Sequence, residues 1–380
     1  MKMRPPGLFS FPGQSRPGRV ATAARLRPPP AGSDAVRAGE VLPRMETTPY
    51  EGRGMAITNV LATNLLSPIT LSFALGVLAR RVRSEFALPK DVYMGIAVYL
   101  LFALGLKGGV EMAHASFASI AAPAGVTLLL GCLTPVTAYL VLRRVGRFSA
   151  ADAAGIAAHY GSVSAVTYIA AQGFVGSMGE TAEGFMPTLL ALLESPGIHI
   201  ALAIGAVGAA DKGRPVGGVL HEVLTGRTMV LLVGGLAVGY LIGEKNWHDV
   251  EAFYDTKGAV FKGVLCLFLL EMGVVAGDRL GDLRKVGPFL LGFGILVPIV
   301  HGALGVGLGH LAGLSVGGAT VLGAMAASAS YIAAPPAVRV TLPQANPTYS
   351  LTCALAITFP FNILAGIPLY YQFALLLAGR

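Results

Sequence analysis

The sequence predicts an all-α polytopic membrane protein: ten transmembrane helices in two inverted five-helix repeats, with broken crossing helices four and nine. Composition is the first observation behind that expectation. Of 380 residues, 54% are hydrophobic and 13% charged, about half the charge of a soluble domain. Second, apolar runs of roughly 18–25 residues recur from Leu65 to the C-terminus, each long enough to cross a hydrocarbon core of about 30 Å. Third, the stretch Ala157–Gln172 (AAHYGSVSAVTYIAAQ) is echoed by Ala326–Val338 (AASASYIAAPPAV). A shift of 166 positions lays Gly161-Ser162-Val163-Ser164 over Ala327-Ser328-Ala329-Ser330, and Leu101-Phe102 over Leu267-Phe268. One offset in two places marks two copies of one unit, each with a serine-rich break.

Taken in order, residues 1–54 are rich in Pro, Arg, Gly and Ala, lack hydrophobic periodicity and read as disordered. They hold nine Lys/Arg and four Asp/Glu, so +5 of the net +8 lies there and nucleic-acid binding is not indicated. Met55 opens a second plausible start; the preceding stretch reads as a start assigned too early, a dispensable extension or an Arg-rich presequence. Ten spans follow, near 61–79, 91–109, 118–142, 151–172, 185–209, 226–243, 257–277, 287–311, 316–335 and 349–377. The linker 210–218 divides a first repeat (55–209) from a second (219–380). Five spans per half is an odd number, so the second copy enters the membrane from the opposite side, as in many secondary transporters.

Charge orients the chain. Arg80, Arg81, Arg83 and Lys90 fall between spans one and two, and Arg143, Arg144 and Arg147 between three and four. Lys212, Arg214 and Arg227 follow span five, Arg279, Arg284 and Lys285 follow span seven, and Arg339 follows span nine. The connections at the other end are poor in cations, with Lys245 and Lys257 standing out. The positive-inside rule places the basic set in the cytoplasm and both termini outside it.

The breaks carry the chemistry. Tyr160, Ser162, Ser164, Thr167 and Tyr168 put five hydroxyls into one span, and hydroxyls in lipid need partners. Packing glue between helices accounts for one such segment, but the second copy, followed by Pro335-Pro336, points to broken helices whose ends meet in the membrane. Half-helix N-termini favour a small anion, and released carbonyls and hydroxyls can hold sodium. Glu194 and Glu271 lie inside apolar runs; a charge there costs on the order of 3 kcal/mol, so each is a functional candidate or a paired carboxylate facing another helix. Lys107 and Glu111 read as a local pair one turn apart, and His159 as a packed histidine beside the first break. Asn346-Pro347 signals a turn. Cys132, Cys266 and Cys353 stand singly and define neither a disulfide framework nor a zinc site. No nucleophile elbow, phosphate loop or catalytic carboxylate pair marks an enzyme, and no organic cofactor is expected.

At Gly161–Ala171, Glu271–Lys285 and Ala326–Pro347, and more weakly at Pro298–His301 and Gly366–Tyr370, the chain resembles the sodium-dependent bicarbonate transporter permease family (SbtA-type). The resemblance runs over about Leu65–Tyr371. It implies a homotrimer in which helices one, two, six and seven form a gate and the remainder a core that slides against it. The anion would lie at Ser162, Val163, Ser164, Ser328, Ala329 and Ser330, with sodium beside it and Thr167, Tyr331, Glu194 and Glu271 as ion-coupling candidates. A PII-type cytoplasmic regulator is a possible partner by the same resemblance. The chain departs from cyanobacterial members at Ala165, where they have threonine, and at Tyr331, where they have aspartate. The expected function is sodium-coupled symport of a small inorganic anion, bicarbonate first, across a bacterial inner membrane by an elevator-like movement. The alternatives are a sodium- or proton-coupled carrier of a small organic acid, and a non-transporting membrane sensor or anchor.

Overall fold

A computed structural model describes residues 57–208, 221 and 225–380. Residues 1–54 and the linker 210–218 lie outside the described residues, and with them the expectations about a disordered extension and a connecting loop. Every regular element among the described residues is helical.

Six helical stretches are long and apolar enough to cross a membrane, or seven if the first bent pair is counted as one span. That pair is α1 (Ile57–Leu65) and α2 (Pro68–Arg81), inclined by 59°. The single first span expected over 61–79 is therefore bent. The cause is local: Ser67 accepts a hydrogen bond from the Thr70 N–H at 3.2 Å, and Pro68 occupies the first turn, the two usual signals for starting a helix afresh. Next come α3 (Lys90–Met112), α4 (Phe117–Arg144), α5 (Ala150–Tyr160), α6 (Ala165–Ser177), α7 (Met186–Glu194) and α8 (Pro196–Gly208). After residue 224 the chain forms α9 (Arg227–Trp247), the short α10 (Glu251–Tyr254), α11 (Ala259–Arg279), α12 (Leu283–Leu311), α13 (Val316–Ala326), α14 (Ala334–Thr341) and α15 (Pro347–Leu377). Gly243 (φ 61°) and Gly287 (φ 74°) interrupt the regular backbone of α9 and α12, at the limits expected for spans six and eight. A left-handed φ of this size suits glycine because it has no Cβ to clash.

Between α11 and α12 a 3-10 turn, Leu280–Asp282, reverses the chain. Asp282 accepts a hydrogen bond from Lys285 at 2.7 Å and lies 3.5 Å from Arg279. The Lys285 bond is the main cause holding the Asp282 carboxyl below its ordinary range. Large apolar side chains such as Leu75, Val233, Leu241 and Leu296 are exposed, a surface suited to lipid. The chain is an integral membrane protein.

Two helix pairs form one part of the packing: α2 lies on α11, and α3 on α9. The α3–α9 crossing is a glycine contact. A Cβ on Gly105 would stand 2.5 Å from the Leu232 carbonyl oxygen and 2.9 Å from the Gly235 Cα, and Gly109 faces Gly239 in the same way one turn on. With little hydrophobic drive between helices in lipid, this close backbone approach supplies the association. Elsewhere α4, α5 and α8 pack together, as do α12, α13 and α15. Ser149 caps α5 by accepting from the Asp152 N–H, and Ser315 caps α13 by accepting from the Gly318 N–H, both at 3.0 Å. These two caps are 166 residues apart, the offset of the sequence echo.

Gly109→Leu and Gly239→Leu should destabilise the fold by about 1–3 kcal/mol or more through overpacking. Gly234→Leu, whose Cβ position meets nothing within 4 Å, should leave it unchanged. Thermal midpoints in detergent distinguish the three; equal midpoints would remove the close crossing as a source of stability.

Candidate functional site

Both expected breaks are present. α5 ends at Tyr160 and α6 begins at Ala165; α13 ends at Ala326 and α14 begins at Ala334. Non-helical backbone buried in a membrane protein must find hydrogen bonds within the protein, and the two breaks supply them to each other. The Ser164 N–H donates to the Ser328 Oγ at 2.8 Å, and the Ser330 N–H donates to the His159 carbonyl at 2.8 Å. The Ser328 hydroxyl in turn donates to the Met325 carbonyl at 2.8 Å. Ser164 caps α6 by accepting from the Thr167 N–H, and Ser330 accepts from the Ala333 N–H, each at 3.3 Å. Shifting the first bond by 166 positions gives the second.

The copy is not perfect. Under the same shift, the Ser164–Ser328 bond calls for one from the Ser330 N–H to the Ser162 Oγ. Instead the Ser162 hydroxyl donates to the Glu194 carbonyl at 2.8 Å, leaving the His159 carbonyl to take the Ser330 N–H. A local close approach fixes this arrangement. A Cβ on Gly161 would stand 2.7 Å from Pro135 Cβ and 2.9 Å from Gly197 Cα, so the first break lies against the bend between α7 and α8. The second break also differs from expectation in its prolines. Pro335 and Pro336 do not end a helix; they sit in the first turn of α14, where the missing N–H costs little. They also remove amide donors, so α6 presents the fuller helix N-terminus of the two.

All six anion-site candidates, Ser162, Val163, Ser164, Ser328, Ala329 and Ser330, are buried at the breaks. A small cavity of about 10 Å³ lies there, lined by Val163, Ser164, Glu194, Thr228, Ser330 and Tyr331 among others. That is about the room one water takes. Among the coupling candidates, Glu194 and Tyr331 therefore meet at the breaks. Glu194 is only 4% exposed, and among the described residues its carboxylate receives no hydrogen bond and forms no ion pair. Thr167 is buried in the first turn of α6. Glu271 lies elsewhere: its Oε2 accepts from the Leu88 N–H at 2.8 Å, tying α11 to the α2–α3 connection. Lys107 and Glu111 pair at 2.9 Å, with the Lys107 ammonium also 4.9 Å from the centre of the Trp247 ring. Asn346 caps α15 through Thr348 and donates its own N–H to Asp152 at the start of α5.

Several supporting residues did not stand out in the sequence. Asn362 is fully buried in a π-helical stretch of α15; its side-chain amide donates to the Ala327 carbonyl at 3.0 Å, and its Oδ1 accepts from the Tyr370 hydroxyl at 2.9 Å. It holds the start of the second break. Asn64 donates to the Ile363 and Leu364 carbonyls, which the π turn leaves available. A carboxamide inside an apolar run was the signal for both. Tyr160 meets Thr358 Oγ1 at 2.6 Å, and Thr358 donates to the Gly294 carbonyl; Thr228 had no signal beyond its position at a helix start.

The arrangement offers neutral donors, one free carboxylate and hydroxyl oxygens, a set suited to holding a small anion and a hard cation side by side. A search of curated proteins finds no match. Residues 68–375 match the family described as the Na+-dependent bicarbonate transporter superfamily. That span covers α2 through nearly all of α15, including both breaks, and the chain belongs to this superfamily.

Proposed function

We propose that the chain is a sodium-coupled symporter of a small inorganic anion, bicarbonate first. The observation that carries this reading is the pair of cross-bonded breaks. The donors left at the start of α6, beside Ser162 and the Ser328–Ser330 turn, would hold the anion. Neutral donors suit a substrate that must also leave. Glu194, with Ser164, Thr228 and Ser330 oxygens around the same cavity, is the best-placed group to hold sodium, whose ligands are oxygens. Tyr331 adds aromatic surface where cyanobacterial relatives have aspartate, which transfers the carboxylate role to Glu194. Thr167 acts through the α6 first turn, and Glu271 as a brace on the α2–α3 connection. The small room at the breaks favours an inorganic anion over an organic acid.

The inverted repeat is part of the proposal. Numbering the ten expected spans in order, α2 on α11 is one against seven, and α3 on α9 is two against six. Exchanging the halves converts one pairing into the other, and the serine caps at a constant offset agree. We assign spans one, two, six and seven to a gate and the rest to a core that moves past it, in a homotrimer of a bacterial inner membrane. Both termini lie outside the cytoplasm, and the linker 210–218 lies inside, where a PII-type regulator could reach it.

Labelled bicarbonate uptake into proteoliposomes should rise with an inward sodium gradient; uptake indifferent to sodium rejects the coupling. Ser162→Ala and Ser328→Ala should each weaken apparent anion affinity about two- to twelvefold, the net worth of one neutral hydrogen bond of about 0.5–1.5 kcal/mol. Glu194→Gln should abolish the dependence on sodium while the protein still inserts and stays monodisperse; unchanged sodium dependence excludes it as the cation group. A reporter fused after Ala210 should be active on the cytoplasmic side, and periplasmic activity would reverse the topology.

A further inference from the structure

A second cavity, of about 550 Å³, lies away from the breaks. It is enclosed by α1, α2, α6, α11 and α15, and it opens at the end of the molecule where α6 finishes and α11 begins. That end is otherwise well supplied with acids, among them Glu111, Glu183, Glu244 and Glu251. The charged side chains lining this cavity are nevertheless mainly basic. Lys257 and Lys262 are exposed and form no ion pair among the described residues. Glu180, the one acid in the lining, is paired with Arg380 at 2.8 Å. Asp255 precedes the rim, with its carboxylate turned back onto the Lys257 N–H at 3.1 Å. The first turn of the 21-residue α11 adds its own partial positive charge.

The inner end of the cavity points at the breaks and stops one helical turn short of them. It reaches Thr70, Ile169 and Ile363. One turn further in, the side chains on the first and last of these faces are Phe73 and Phe359, both buried, with ring centroids 5.4 Å apart. Phe359 also meets Tyr331, which lines the cavity at the breaks, at 5.8 Å. An aromatic layer thus separates a wide basic chamber from the small site.

We infer that this cavity is the antechamber of the transport path, in which Lys257 and Lys262 concentrate a small inorganic anion ahead of the closed Phe73–Phe359–Tyr331 layer. The inference rests on the proposal that the chain moves an anion. Its physical basis is independent of that proposal: like charges at the mouth of a cleft with low-dielectric walls focus the field and raise the local concentration of counter-charge. A collecting site of this kind affects how often the anion arrives, and leaves the chemistry of the breaks untouched.

Cys266 lines the same cavity and provides a native reporter. In the purified full-length protein, its modification by an anionic methanethiosulfonate should be faster, relative to free thiol, than by a cationic one. Cys266→Ser identifies the signal, since Cys132 and Cys353 lie elsewhere. Lys257→Gln/Lys262→Gln should lower the anionic-to-cationic rate ratio about threefold or more at low salt, with the difference shrinking as salt is raised. The same double variant should raise the KM for bicarbonate and leave kcat unchanged. A ratio indifferent to both lysines overturns the inference. So does silence at Cys266 together with silence at a Thr70→Cys reporter on the facing wall, because the chamber would then be closed to water. Biased labelling in a protein that shows no sodium-driven uptake would instead remove the transport proposal and leave the basic chamber in place.

Discussion

Backbone that leaves the helix inside a bilayer has to be satisfied by protein, and that constraint shapes the centre of this fold. The two breaks interrupt α5–α6 and α13–α14 and bond across to each other through Ser164, Ser328, Ser330 and the His159 carbonyl. Ser164 also caps the half-helix that follows it, and Ser330 holds the Ala333 N–H just ahead of α14. One residue type serves because its hydroxyl both donates and accepts. The surrounding architecture follows from holding these segments in register: Gly161 against Gly197 for the first, and Asn362 on the Ala327 carbonyl for the second.

The position of the breaks was legible in the sequence because serine clusters in apolar runs are conspicuous, and a repeated offset separates a built feature from packing glue. The departures from symmetry were not legible. Whether the Ser162 hydroxyl turns to the Glu194 carbonyl or to the second break depends on the approach of α7–α8, a long-range contact that no local pattern encodes. The prolines were visible but ambiguous: the same Pro335-Pro336 can end one helix or begin the next, and here the chain had already left the helix at Ala327. Glu271 carried the same apolar context as Glu194, yet one carboxylate faces a backbone N–H and the other a cavity. Hydropathy finds buried charge; only packing says what the charge faces. Asn362 and Asn64 show the reverse, polar groups overlooked because a single amide in an apolar run is a weaker signal than a charge.

The bent first span has a similar lesson. Ser67-Pro68 is a clear helix start, but it lies inside a run hydrophobic enough to be read as one continuous span. Hydrophobic length locates membrane segments, whereas capping residues locate their discontinuities. In this family-sized chain the discontinuities are where polar atoms collect.

The contacts between the two bodies of the proposed elevator are of a kind that tolerates movement. Within the gate pairs, glycine backbones approach closely, which fixes each pair rigidly. Between the proposed gate and core, the contacts around the site are the edge-to-face rings of Phe73 and Phe359 and the Tyr331 hydroxyl on the Met272 sulfur at 3.9 Å. Nearer the start of the first span, the Asn64 amide also crosses to the Ile363 and Leu364 carbonyls. Ring edges and a thioether are weakly directional and adapt to displacement, so a shift of one body past the other would break the Asn64 bonds and little that is directional beside the site. The bonds that shape the site run between the two breaks. A transporter that carries its site as a unit needs directional bonds where the site must keep its shape and adaptable contacts where the two bodies must pass; Asn64 is the directional contact that such a movement has to exchange.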